Sequence, residues 1–204
     1  MKKGVIAGLG CGALLLIGII VLALFGGAFA YNFNNTAVEY EADAKTAWAN
    51  VESAYQRRAD LIPNLVATVK GYAAHEKETL EGVIKARSEA TKTTIDANNL
   101  TPETMAQFQQ AQQGLSGALS KLLVTVERYP DLKADKSFLE LQSQLEGTEN
   151  RINVERNRYN ETVNIYDIYT TKFPGKLFAG LFGFKEMARF KSAPGSENAP
   201  KVEF

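Results

Sequence analysis

A chain of 204 residues with 45% hydrophobic content is long enough for one compact domain and an anchor, but short for two independent cores. Its 23 basic and 23 acidic residues cancel, so no net field draws it onto nucleic acid or towards acidic substrates. The lone cysteine, Cys11, excludes an internal disulfide and any cluster of thiolate metal ligands.

The first predicted element is an anchor. No charged side chain occurs from Val5 to Ala30, and roughly 20 apolar residues in helix suffice to cross a bilayer core. Lys2 and Lys3 precede the run and no Lys or Arg follows until Lys45, a bias that leaves the N-terminus in the cytoplasm and everything after Tyr31 outside it. Ala28-Phe29-Ala30 would suit signal-peptide cleavage, but the apolar run is far longer than the roughly 7–15 residues of a signal core. We therefore read an uncleaved transmembrane helix over residues 1–30. Cys11 does not read as a lipoprotein site, since Gly8 stands three residues before it and the apolar run follows. Gly4, Gly8 and Gly12 share one face at four-residue spacing, which either serves close helix packing between copies or reflects general glycine use in such helices.

A junction rich in asparagine (Asn32, Asn34, Asn35) leads into residues 31–172, read as a helical bundle. Ala44, Trp48, Val51, Tyr55, Ile62, Leu65, Val69, Tyr72, Leu80 and Val83 recur at three-and-four spacing, the helical period. A second stretch opens at Thr101-Pro102, an N-cap followed by proline in the first turn, carries Met105, Phe108, Leu115, Leu119, Leu122 and Val126, and stops near Tyr129-Pro130. Asp135 caps a third, whose stripe runs through Phe138, Leu141, Leu145, Ile152, Tyr159, Val163, Tyr166 and Phe173 to Pro174-Gly175. No segment alternates at period two. The fold class is therefore all-α, an N-terminal transmembrane helix followed by an antiparallel four-helix bundle.

Pro63 sets the helix count. Asp60 can cap a new helix there, and an unbroken helix to about Ala90 would outrun what the second stretch can cover. The alternative is three long helices with the first kinked at Pro63, since no Gly or Asn interrupts the register between Gln56 and Ile62.

Charged residues fall on the apolar stripes: Arg58, Glu76, Arg87, Glu149 and Arg156. Burying one alone is costly, so Arg57 or Arg58 is expected to meet Glu146 or Glu149 between helices, unless the long side chains reach solvent at the stripe's edge. Residues 173–190 interleave Phe and Leu with Gly and add Lys176, Lys185 and Arg189. Phe178, Leu181, Phe182, Phe184 and Lys185 suit the headgroup boundary of a membrane, or else close the end of the bundle. Residues 191–204 turn to Pro, Gly, Ser and Asn and read as a disordered tail.

The run Arg57-Arg58-Ala59-Asp60-Leu61-Ile62-Pro63-Asn64-Leu65-Val66-Ala67-Thr68-Val69-Lys70-Gly71-Tyr72, with Tyr129-Pro130-Asp131-Leu132-Lys133, Leu145-Glu146-Gly147-Thr148-Glu149-Asn150-Arg151-Ile152, Arg158-Tyr159-Asn160 and Gly180-Leu181-Phe182-Gly183-Phe184, closely resembles the LemA family. Ala59 departs from it where many relatives carry an aromatic. The resemblance implies a bacterial, membrane-anchored four-helix bundle outside the cytoplasm. It implies no agreed catalytic activity.

No motif for catalysis emerges. His75-Glu76 begins like H-E-x-x-H, but Thr79 holds the fifth position and His75 is the only histidine, so that zinc design is excluded. No phosphate loop or Ser/His/Asp set is present. Carboxylate pairs such as Glu76/Glu78 and Glu146/Glu149 sit on charged helices, where solvation or ion pairing is the ordinary role. The sequence thus points to a non-enzymatic, single-pass scaffold or interaction protein of the cytoplasmic membrane and cell envelope. Its expected contacts are lipid through the anchor and a protein partner or further copies of itself. No metal, cofactor, nucleic acid or small-molecule substrate is expected. The alternatives are a membrane-organising homo-oligomer that touches lipid through the Phe-rich segment and, on weaker grounds, an enzyme or enzyme accessory.

Overall fold

The computed structural model describes the backbone of residues 2–191 and the side chains of residues 14–191. Six helices follow in order: α1 (Lys2–Tyr72), α2 (Lys77–Lys92), α3 (Pro102–Val126), a single turn α4 (Pro130–Lys133), α5 (Lys136–Thr171) and α6 (Gly175–Phe182). No strand occurs among the described residues. The expected caps form: Thr101 accepts from the Thr104 N–H at the start of α3, and Asp135 from the Phe138 N–H at the start of α5. Each satisfies an amide that a helix start leaves without an internal partner.

α1 has 71 residues, roughly 105 Å at 1.5 Å per residue. The Asn-rich junction does not interrupt it, so the apolar run and the first bundle helix are one rod. α5 lies antiparallel against the outer part of α1, as the pairs Phe33–Tyr169, Trp48–Tyr159, Arg58–Glu149 and Tyr72–Asp135 show. α2 returns beside α1 and α3 runs back outward, fixed by Arg87 on Ala59, Gln112 on Ala90 and Arg128 on Glu76. The result is an up-down-up-down bundle of α1, α2, α3 and α5.

The break that makes four helices is not at Pro63. α1 passes through that proline and ends at Tyr72, and the turn to α2 lies at residues 73–76. Proline lacks the N–H that would bond the carbonyl four residues back, which is that of Ala59. Here the Arg87 Nε of α2 donates to the Ala59 carbonyl at 2.7 Å, replacing the missing bond and offsetting that part of the cost of an interior proline. The turn itself is tied down by Glu76, whose Oε1 accepts from Arg128 Nη2 and the Tyr129 hydroxyl, each at 2.8 Å. Arg87→Ala leaves a buried carbonyl without a donor and should cost about 1–3 kcal/mol. In a Pro63→Ala background, where residue 63 regains its amide, the cost should shrink. Equal costs in the two backgrounds, read from urea unfolding, would refute this account.

The predicted stripes form the core, with two exceptions: Tyr72 is exposed and bonds Asp135, and Phe173 lies beyond α5 and is 83% exposed. Two apolar clusters fill the bundle. One surrounds Trp48, Phe108, Tyr159 and Phe190 near the apolar run; the other surrounds Ile62, Leu65, Leu115 and Leu122 at the far end. α2 stops short of the near cluster. The α2–α3 connection, through Ile95 and Leu100, and residues 183–191 close it instead.

Candidate functional site

Between the two clusters lies a polar layer built on Arg58. Its side chain is 4% exposed; Nη1 donates to Glu149 Oε2 at 2.9 Å and to Ser116 Oγ at 3.1 Å, and Nη2 donates to Gln112 Oε1 at 2.7 Å. Gln112 Nε2 in turn donates to the Ala90 carbonyl at 3.2 Å, so one arginine links all four long helices of the bundle. Glu149 is 51% exposed. The pair is therefore lopsided, with a buried cation and a carboxylate half in water. Arg57 and Glu146 do not join the layer. Arg57 is exposed and lines a broad cleft of about 530 Å³ between α1 and α5, while Glu146 is exposed and accepts from Gln142 on its own helix.

Two members of this region escaped the sequence reading. Gln112 sat among other glutamines on an α3 face with no feature to set it apart. Glu155 is 2% exposed and meets Arg151 one turn earlier at 2.7 Å; on sequence alone it is one more acidic residue in a charged helix. Tyr55 stacks beneath the Arg58 guanidinium, 5.1 Å from ring centre to Cζ. Burial raises its phenol pKa, and the charges of Arg156 and Arg58 oppose that rise.

The second region is the end of the bundle next to the apolar run. Gly183 closes α6 with φ +79°, a left-handed C-cap that a glycine adopts without strain. Gly175 opens α6 so close to α5 that a Cβ there would lie 2.3 Å from the Tyr169 carbonyl and 3.0 Å from the Phe33 ring. That approach presses α6 onto α1. Phe178 meets Phe29 and Phe33 at ring separations of 5.1 and 5.7 Å, and Phe33 stacks on Tyr169 at 5.0 Å. Phe184 meets Phe33 and Tyr166. These aromatics form a collar where the apolar run becomes bundle. Leu177 (65%) and Leu181 (75%) remain exposed, as does Phe182 to a lesser degree. The Lys185 side chain is exposed while its backbone carbonyl accepts from the Tyr166 hydroxyl at 2.8 Å. Burial first, then the nearby Glu41 and Asp167 carboxylates, push the Tyr166 phenol up to about 12.

From Phe184 to Lys191 the chain is not helical. It turns back along α5 as a strap: Ala188 N–H donates to the Leu100 carbonyl at 2.8 Å, the Tyr159 hydroxyl donates to the Ala188 carbonyl at 2.7 Å, and the Asn160 amide exchanges bonds with both backbone groups of Phe190. Arg189 pairs with Asp167 at 2.6 Å. The expected amphipathic segment at 173–190 is thus two pieces, a collar helix and a strap. Gly4, Gly8 and Gly12 lie outside the residues whose packing is described, as does the tail beyond Lys191.

Among the described residues no three His, Cys, Asp or Glu side chains gather to hold a metal ion, and His75 is exposed at the α1–α2 turn. One described helix is long and apolar enough, by length and composition, to cross a membrane. These features define a class: a helical bundle grown directly from an apolar helix of membrane-spanning length, with an aromatic collar at the junction and a polar layer inside. Within that class the chain belongs to the LemA family, whose family model matches residues 47–204. It is similar to Magnetosome protein MamQ 2 of Paramagnetospirillum magneticum, 26% identical over 206 residues that cover 91% of this chain and 74% of the relative. Magnetosome protein MamQ of Magnetospirillum gryphiswaldense is 26% identical over 205 residues (90% and 74%). Protein LemA of Metamycoplasma hominis is 24% identical over 179 residues (87% and 74%).

Proposed function

We propose that this protein is a non-enzymatic scaffold of the bacterial cell envelope, held in the cytoplasmic membrane by α1 and standing on the bilayer surface through α6. On this reading the N-terminus is cytoplasmic and the bundle is extracytoplasmic, as Lys2 and Lys3 before the apolar run and the lack of Lys or Arg from there to Lys45 favour. The observation that carries the reading is the collar. Phe178 fastens α6 to Phe29 and Phe33, at the level where the apolar run ends, while Leu177 and Leu181 stay exposed, as do Phe25 and Phe29. Exposed leucines on a helix packed against the end of the apolar run, together with exposed Lys172, Lys176 and Lys185, have the makeup of an interfacial helix.

A fluorophore on Leu181→Cys, in a Cys11→Ser background and in lipid nanodiscs, should be quenched by brominated acyl chains. One on Leu139→Cys, at the far end of the bundle, should respond only to an aqueous quencher. Equal responses at the two sites would rule out the seat, and protease resistance of the bundle in intact spheroplasts would rule out the orientation. A second reading, a homo-oligomer that organises lipid, draws on the same exposed leucines. Crosslinking in native membranes separates the two: a heterologous partner supports the scaffold, and self-crosslinks alone support the oligomer.

A further inference from the structure

We propose that the pocket where α1, α3 and α5 meet at the end of the strap binds a small free oxyanion, a phosphate or carboxylate. The pocket has a volume of about 160 Å³, and its lining includes Arg58, Gln113, Ser116, Glu149, Arg156 and Lys191. Three cations therefore surround one carboxylate. That carboxylate, Glu149, is already engaged by Arg58 at 2.9 Å and half in water. Arg156 and Lys191 take part in none of the ion pairs among the described residues. The Arg156 guanidinium rests over the Phe190 ring at 4.6 Å, which holds its plane in place; its one side-chain partner in the pocket is the neutral Tyr55 hydroxyl, so its charge is not compensated there. Arg58 Nε is buried without a partner. A bound anion would balance the excess positive charge of the lining.

The size of the pocket selects the ligand. Drug-sized and nucleotide ligands occupy roughly 300–1,000 Å³, so a pocket of about 160 Å³ matches a single oxyanion group better than a nucleotide. A lipid headgroup is excluded by distance on the proposed anchoring, because Arg58 stands about 28 residues beyond Ala30 in one continuous helix, roughly 42 Å at 1.5 Å per residue. The larger α1–α5 cleft is a poorer site. Of its two arginines, Arg151 is already neutralised by the buried Glu155.

The test is calorimetric titration of the full-length protein in phosphatidylcholine nanodiscs with inorganic phosphate and, separately, with succinate, at constant ionic strength. At least one should bind saturably with one site per chain, and added sodium chloride should weaken the binding. Arg156→Gln should lower the affinity at least about tenfold, Arg156→Lys should restore part of it, and Lys121→Gln, on an exposed face of α3, should leave it unchanged. Thermal unfolding of each variant shows whether the fold survives. Should Arg156→Gln fail to fold, Lys191→Gln decides, since that residue is exposed. Absence of saturable binding by either anion overturns the proposal, as does binding that the decisive variant leaves intact.

Discussion

Replacing Trp48 by alanine should lower the stability of the bundle by about 3–5 kcal/mol, the range for truncating a large buried aromatic. Trp48 is fully buried, and its indole meets Phe108 at 5.3 Å, Tyr159 at 5.5 Å and Phe190 at 5.9 Å. Those rings come from α3, α5 and the strap. The change therefore removes a side chain that all three covering segments share, and a cavity between rings held by different segments cannot close by a single shift. Against a total stability of about 5–15 kcal/mol for an ordinary domain, the variant should sit near its folding threshold. Guanidinium unfolding followed by circular dichroism at 222 nm reads the loss. A cost below about 1 kcal/mol, the scale of a surface change, would mean that the near cluster is not the packed core described. Phe190→Ala should free the strap as well as weaken the cluster, so amide exchange at Ala188 should quicken by more than that at Leu65 in the far cluster.

The helices were legible because their signals are local. Period, proline and cap residues at Thr101 and Asp135 each act within one turn, and α3 and α5 begin where those residues stand. The α1–α2 turn was misplaced because the deciding contact is not local: whether Pro63 ends a helix depends on Arg87, 24 positions later, reaching the Ala59 carbonyl. The Phe-rich segment was legible as composition but not as two pieces. Phe178, Phe182, Phe184 and Phe190 look alike in sequence, and only the return of the chain along α5 sends Phe190 into the core while Leu181 stays outside. The polar layer was half legible. A charged residue on an apolar stripe demands a partner, which marks Arg58. A neutral glutamine raises no such demand, so Gln112, its closest partner, left no trace.

The lopsided burial of the Arg58–Glu149 pair gives the last prediction. Arg58→Ala should cost about 3 kcal/mol, from the volume lost and from stranding the Gln112 side-chain oxygen without its donor. Arg58→Met fills most of that volume and should cost about 1–2 kcal/mol. Glu149→Gln should cost at most about 1 kcal/mol, because a half-exposed carboxylate is screened and an amide oxygen still accepts. Double-mutant cycles separate the partners: coupling between Arg58→Met and Gln112→Leu should exceed coupling between Arg58→Met and Glu149→Gln. It follows that exchanging the charges, Arg58→Glu with Glu149→Arg, should not rescue the fold. A glutamate at position 58 would place an acceptor against the Gln112 side-chain and backbone oxygens that Arg58 now serves as donor, and it would bury a carboxylate whose new partner stands half in water. Recovery of parental stability in the exchanged protein would show that charge complementarity alone, rather than directional hydrogen bonding from a buried guanidinium, holds the layer between the two apolar clusters.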